Sequence, residues 1–252
     1  MAEEDRDEVF RNPSVVEVVF EVRFPPLFYI DQRIGDFQLE IMDDFPKSSQ
    51  ILEEPIIIGA VQKTLTDEEK PKPTQIWQFE SENGKNKIMV RPNRLNIISH
   101  EYKSYDSPTF KKRFRDLIED ITTTFLEKVP IRKFSRLGIR YIDHCPLEEK
   151  SSGYFKRFYV PIFDTDNYDI ENIIENHVAI RIKKGDYYLL FQCGIQKFGD
   201  VYKYVLDYDG YAQDIETRNF INITDELKKM IKKEYYSNIT EEFKEYMRSD
   251  AT

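Results

Sequence analysis

Two carboxylates two residues apart, Asp207 and Asp209 in V-L-D-Y-D-G-Y, have a spacing that could do chemistry. In a strand, alternation puts both on one face, where they could bind a metal ion or share a proton in acid-base work. Gly210 would let a turn or bulge follow. The same residues also suit an exposed strand edge whose charges discourage aggregation. A second set shares this period of two. Glu17, Glu21 and Arg23 fall on the polar side of V-V-E-V-V-F-E-V-R-F, and Arg136 and Arg140 project together from R-L-G-I-R. If those two segments are neighbours, their charges form a cross-strand ladder, each exposed pair stabilising by roughly 0.2–1 kcal/mol and acting mainly on register. Glu17, Glu21, Arg23, Arg136, Arg140, Asp207 and Asp209 are therefore the candidate binding cluster or inter-half charge cluster. An atypical, metal-assisted enzyme would use Asp207 and Asp209 with Glu17 or Glu21.

Other chemistry has little support. His100, His144 and His177 sit in different segments, and His144 beside Cys145 would point to the opposite face of a strand, so no zinc site is expected. Asp164, Asp166 and Glu175 imitate three positions of a calcium loop, but Tyr168 replaces a ligand and Asp169 stands where glycine permits the turn. No G-x-S-x-G, G-x-x-x-x-G-K-[ST] or G-x-G-x-x-G motif occurs, and only nine glycines are present in all, so a serine-hydrolase elbow, a Walker nucleotide site and a Rossmann cofactor site have no support and no cofactor is expected. Cys145 and Cys193 belong to no C-x-x-C pair and read as buried free thiols. The opening M-A-E-E-D-R-D-E is acidic where an export signal needs basic residues, and the most apolar window, Pro55 to Val61, is far too short to cross a bilayer. The expected location is cytoplasmic, with no membrane partner.

The net charge of −9 argues against nonspecific polyanion binding. It is unevenly placed: residues 1–69 hold −11, residues 70–115 hold +7 and the rest −5. Lys85, Lys87, Arg91, Arg94 and Lys103 form a candidate basic surface within the middle stretch. Either these charges compensate the acidic segments across the fold, or a basic face with Trp77, Phe79 and Tyr102 stacks and neutralises single-stranded nucleic acid or a nucleotide.

The elements that must position these residues follow from periodicity. Val16, Val18, Phe20, Val22 and Phe24 alternate as the buried side of a first strand, stopped by Pro25 and Pro26. Ile34, Phe37 and Ile41 recur at helical spacing between Asp31 and Phe45. Strands are expected at Ile56 to Val61, at Gln75 to Glu80 against Lys87 to Arg91 with Asn83 and Gly84 in the turn, and at Leu95 to Tyr102. Ser107 and Pro108 open a helix running to about Lys128 along Phe110, Phe114, Leu117, Ile118, Ile121 and Phe125. The second half repeats the order: strands at Phe134 to Asp143, Val178 to Lys183, Tyr187 to Gln192 and Val201 to Asp207, then helices capped by Thr224 and Thr240. Leu147 to Asn176 is the irregular stretch. The expected organisation is a flexible acidic N-terminus (residues 1–11), a first sheet-and-helix half (12–129) and a second (130–252). The fold class is α+β, antiparallel sheet plus long helix in each half, in a pseudo-symmetric saddle like that of the TATA-binding protein.

The opening N-P-S-V-V-E-V-V-F-E-V-R-F-P-P (Asn12 to Pro26), the central R-L-G-I-R-Y-I-D (Arg136 to Asp143), V-L-D-Y-D (Val205 to Asp209) and the terminal Y-Y-S-N-I-T-E-E-F-K-E-Y-M (Tyr235 to Met247) resemble a sporadically distributed, uncharacterised family of prokaryotic proteins of about this length. The resemblance spans nearly the whole chain. It lends no catalytic role to any residue, and its patchy distribution is of the kind met in mobile or defence cassettes. Abundant Tyr and Phe, which favour interfaces, make the expected function that of a non-enzymatic binding or adaptor protein with a protein partner or a second copy of itself. The rival readings are a nucleic-acid or nucleotide-binding accessory protein acting through residues 70–115, and the metal-assisted enzyme.

Overall fold

A computed structural model describes residues 8–53, 73–102, 104–105, 112–165 and 167–249. In chain order the described elements are β1 (Val15–Arg23), α1 (Ile30–Ile41), β2 (Lys47–Glu53), β3 (Thr74–Glu80), β4 (Asn86–Arg91), β5 (Arg94–Ser99), α2 (Phe114–Lys128), β6 (Lys133–Pro146), α3 (Ser152–Phe158), β7 (Val178–Lys184), β8 (Tyr187–Phe198), β9 (Val201–Glu216), α4 (Phe220–Asn238) and α5 (Glu241–Arg248). The protein is α+β. Its nine described strands form one continuous antiparallel sheet in the order β2-β3-β4-β5-β1-β6-β9-β8-β7. Strands from residues 12–129 make one side of the sheet and those from 130–252 the other, with β1 and β6 meeting at the seam. Among the described residues no helix is long and apolar enough to cross a membrane.

Alternation gives the sheet two different faces. Val18, Phe20 and Val22 of β1, Leu137 and Ile139 of β6, and Tyr204, Leu206 and Tyr208 of β9 point into the core against Phe37, Phe125, Leu227 and Ile231 of the helices. Residues between them in each strand face the other way, where no described helix packs. Trp77, Phe79 and Tyr102 belong to the buried set. This corrects the expected stacking platform: alternation in β3 turns Trp77 and Phe79 inward, and Tyr102, beyond the end of β5, packs edge-on against Phe114 and Tyr141.

Other expectations change in detail. A register shift between Val15 and Glu17 lets Val15 pack on the core and leaves Val16 exposed, so Val16 does not continue the apolar side of β1. The edge strand β2 went unforeseen because its sequence, K-S-S-Q-I-L-E, is exposed throughout and shows no alternation; Ile56 to Val61, where a strand was expected, lie outside the described residues. Helix α2 starts at Phe114, after Arg113, later than expected; Ser107, Pro108 and Phe110 are outside the described residues. Helix α4 starts at Phe220, before Thr224, whose hydroxyl donates to the Phe220 carbonyl (2.8 Å) inside the helix instead of capping it. Thr240 does cap α5, accepting from the Phe243 amide at 3.3 Å. The stretch after Leu147 contains α3, capped by Ser151, with Phe155 and Phe158 buried.

Close approach fixes one residue of β8. A Cβ on Gly194 would stand 2.0 Å from the Asn176 carbonyl oxygen, and Asn176 lies there because its amide donates to the Ile195 carbonyl while its side chain accepts from the Ile195 amide. Gly194→Ala must therefore push backbone against backbone, and urea unfolding is expected to show a loss of about 1–3 kcal/mol. An unchanged midpoint would contradict this packing.

Candidate functional site

The open face carries its charges where β5, β1, β6 and β9 run side by side. Gly138 of β6 stands between Glu21 of β1 and Tyr211 of β9, and Arg140 is opposite Val19 and Asp209. Period two thus places Arg136, Gly138 and Arg140 in a row on this face. The Arg136 side chain folds back over Gly138, where a Cβ would meet its Nη1 at 2.7 Å. From there Nη1 donates to Glu21 Oε1 (2.6 Å), Nη2 donates to both carboxylate oxygens of Asp209 (2.6 and 2.7 Å), and the guanidinium lies 4.6 Å from the Tyr211 ring centre. The missing side chain at Gly138 is what lets one arginine join three strands. Arg140 makes a two-pronged contact with Asp207 (2.8 and 2.6 Å), which also accepts from Gln192 (3.1 Å).

The other members spread around this centre. Arg23 Nε donates to Glu21 (2.7 Å), Arg94 reaches the other Glu21 oxygen at 3.3 Å, and Asn96 donates to it at 3.3 Å. Among the described residues Arg91 makes long contacts, 3.4 Å to Glu53 and to Asn96. Glu17 is apart: among the described residues it stands 3.5 Å from His100 Nδ1. Lys87 pairs with Glu80 (3.1 Å), Lys85 is exposed in the β3–β4 turn, and Lys103 lies outside the described residues. So the structure merges most of the expected charge cluster with Arg91 and Arg94 of the expected basic surface, and leaves Glu17, Lys85 and Lys87 outside. Gly138, Asn96, Gln192 and Tyr211 were not anticipated; R-x-G-x-R at strand period was the signal available for Gly138.

Together these side chains line a cleft of about 330 Å³. Five arginines, Arg23, Arg91, Arg94, Arg136 and Arg140, line it with two carboxylates, Glu21 and Asp209, over walls of Val19, Met89 and Ile98, while Asp207 and Glu53, the partners of Arg140 and Arg91, stand outside the lining. Donors outnumber acceptors. The Nε of Arg94 is buried without a hydrogen-bond partner among the described residues. Burial, together with the neighbouring charges of Arg23 and Arg91, lowers the Arg94 pKa against the opposing pull of Glu21. Burial pushes Glu21 up, but hydrogen bonding from Arg23 and the charges of Arg136, Arg23 and Arg94 outweigh it and hold the carboxyl below its ordinary range. Asp209 goes the other way: burial raises it and Arg136 offsets this only in part, while Glu21 adds repulsion. Arg140 is raised, chiefly by its bond to Asp207.

The paired carboxylates are thus held by guanidinium groups, Asp209 by Arg136 and Asp207 by Arg140, which occupies the oxygens a metal ion would need. Among the described residues no three His, Cys, Asp or Glu side chains gather where they could hold a metal. What the cleft can do is accept an anionic group, through charge-assisted, fork-shaped donation.

No family model, curated protein or solved structure matches this chain.

Removing Arg136 leaves Glu21 and Asp209 facing one another across Gly138 without their shared cation. Arg136→Met is expected to cost about 3 kcal/mol at pH 7.5, because a partly buried charge pair is broken from one side. In the intact protein the stability contributed by the lowered Glu21 is present above its ordinary value and fades as pH falls through the lowered one. In the variant, protonation of Asp209 or Glu21 relieves the repulsion, so the deficit should shrink by pH 5. Urea unfolding at both pH values measures this; a deficit that grows on acidification would contradict the assignment.

Proposed function

We propose that this chain is a cytoplasmic binding or adaptor protein that docks a protein partner on the open face of its sheet, with the arginine-lined cleft taking acidic side chains of that partner. The observation carrying this reading is the excess of arginine over carboxylate in a cleft large enough for one or two side chains. Apolar walls beside the charges, and Tyr188 stacked on Tyr211 at 5.1 Å next to Arg136, suit a peptide surface. The two-halved saddle belongs to the same proposal. It is supported by the strand order, in which the first strand of each half, β1 and β6, lies at the seam and is flanked by the last strand of its own half, β5 and β9.

Phosphate would suit the same guanidinium groups, which keeps nucleic acid as the second reading. It is the weaker one, because Trp77, Phe79 and Tyr102 are on the buried face and the overall charge is −9. Fluorescence anisotropy with a labelled hexaglutamate peptide and an oligothymidylate of equal charge separates the two. The peptide should bind more tightly, with affinity falling as salt rises, and Arg23→Ser with Arg91→Ser should weaken it at least ten-fold while leaving the bonds of Arg136 to Glu21 and Asp209 in place. Tighter binding of the oligonucleotide would transfer the site to the second reading, and no binding of either at low salt would remove it.

A further inference from the structure

The two ends of the open sheet differ in charge. At one end β2 carries Lys47 and Glu53, and both are engaged, with the Glu82 carbonyl and with Arg91. At the other end β7 reads V-A-I-R-I-K-K, with three basic residues and no acid. The nearest carboxylates along the chain, Glu175 and Asp186, fall beyond its two ends. No described strand pairs with the far side of β7.

Register settles which main-chain groups that far side presents. Lys184 and Tyr187 flank a two-residue turn, and in such a turn the flanking pair exchanges hydrogen bonds. The Asn176 amide, donating to the Ile195 carbonyl at 3.2 Å, continues the same phase beyond Val178 and Cys193. Alternation therefore commits the N–H and C=O groups of Val178, Ile180, Ile182 and Lys184 to β8 and turns those of Ala179, Arg181 and Lys183 outward. The latter three also share a side-chain face, the open one, opposite Gln192, Leu190 and Tyr188.

Arg181 and Lys183 are exposed, and among the described residues neither has a hydrogen bond or an ion pair; the Lys183 ammonium stands 5.9 Å from the Tyr188 ring. Lys184, on the other face, is held by Glu234 of α4. On that face Ile180 is 39% exposed although Phe191 opposite it is buried, so the apolar surface reaches the edge uncovered. Basic residues on an edge strand discourage pairing between copies. A second β7 laid antiparallel would set Arg181 and Lys183 among their own counterparts, like charge beside like. A strand with an acid at every second position meets opposite charge instead.

We propose that β7 accepts a tenth strand, an extended antiparallel segment of another protein whose acidic residues stand beside Arg181 and Lys183 and whose intervening apolar residues cover Ile180 and Ile182. Strand β8 separates this edge from β9, the nearest strand of the arginine cleft, so the two surfaces are independent.

A blocked heptapeptide alternating glutamate and valine, followed by NMR on the unaltered protein, tests this. Directly opposite residues of an antiparallel pair share a face, so the glutamates are the ones whose main chain bonds to Ala179, Arg181 and Lys183. Methylating the glutamate amide nitrogens should abolish binding, whereas methylating those of valine, which point away from β7, should leave it nearly unchanged. At saturating peptide, hydrogen exchange of the Ala179, Arg181 and Lys183 amides should slow about ten-fold or more. Arg181→Glu with Lys183→Glu, at exposed positions, should weaken the glutamate peptide about ten-fold and admit a lysine–valine peptide in its place. Equal binding of the two methylated peptides, unchanged exchange at the three amides, an unswitched charge preference or no binding of millimolar peptide would overturn the proposal. Protection of those amides in the peptide-free protein that grows with protein concentration would overturn it too, assigning the edge to a second copy.

Discussion

The guanidinium of Arg136, laid over the bare backbone of Gly138, is the contact on which the middle of this protein depends. Nine strands from the two parts of the sequence form one sheet only if β1 and β6 pair across the seam, and backbone hydrogen bonds alone do not choose a register. A slip of β1 by one residue would send Glu21 into the core and Phe20 into solvent. Arg136 adds a specific constraint, because it meets Glu21 on one neighbour and Asp209 on the other only when Gly138 lies between Glu21 and Tyr211. A buried ion pair contributes little net stability against an apolar replacement, but it distinguishes one alignment from its alternatives. The seam is thus a place where the sequence exchanges stability for uniqueness.

That constraint also shapes the cleft. Glu21 and Asp209 are both committed to Arg136, so they cannot fully neutralise Arg94 and Arg91 beside them. Burial is the largest cause both of the lowered Arg94 and of the raised Asp209, and in neither case does the opposite charge beside the group offset it. An incoming anion near Arg94 and Arg91 would supply what Glu21 cannot. The cleft therefore owes its positive character less to the number of arginines than to the geometry that ties the carboxylates elsewhere.

Much of this was legible in the sequence because it depends on period two. Alternation in V-V-E-V-V-F-E-V-R-F and R-L-G-I-R places Glu21, Arg23, Arg136 and Arg140 on one face, as does the spacing of Asp207 and Asp209. The partners were not legible. Arg136 lies opposite Arg23 and reaches Glu21 diagonally, and Arg140, opposite Asp209, binds Asp207; such choices depend on the reach of a long side chain over its neighbours. Glu17 shares the pattern yet falls outside the network, beside a register shift that periodicity does not reveal. Thr224 has the side chain of a cap but lies inside α4, whose start is set by tertiary packing of Phe220. Edge strand β2 has no apolar side to announce it.

Strand β6 lines a cavity on each face of the sheet, and this makes the two physically related. Arg136, Gly138 and Arg140 face outward to the cleft, while Tyr141 and Asp143, the next inward positions, line a smaller cavity on the helix-covered face together with Tyr208, Tyr235 and Tyr236. The sheet between them is one residue thick, and Asp207 on the outer face is close enough to disfavour ionisation of Asp143 on the inner one. Asp207 is itself held by Arg140, so a group that drew Arg140 away would leave more uncompensated negative charge beside Asp143, and one that neutralised Asp207 further would leave less. Coupling of this kind needs no moving part; it follows from two acids separated by one layer of backbone in a medium that screens poorly.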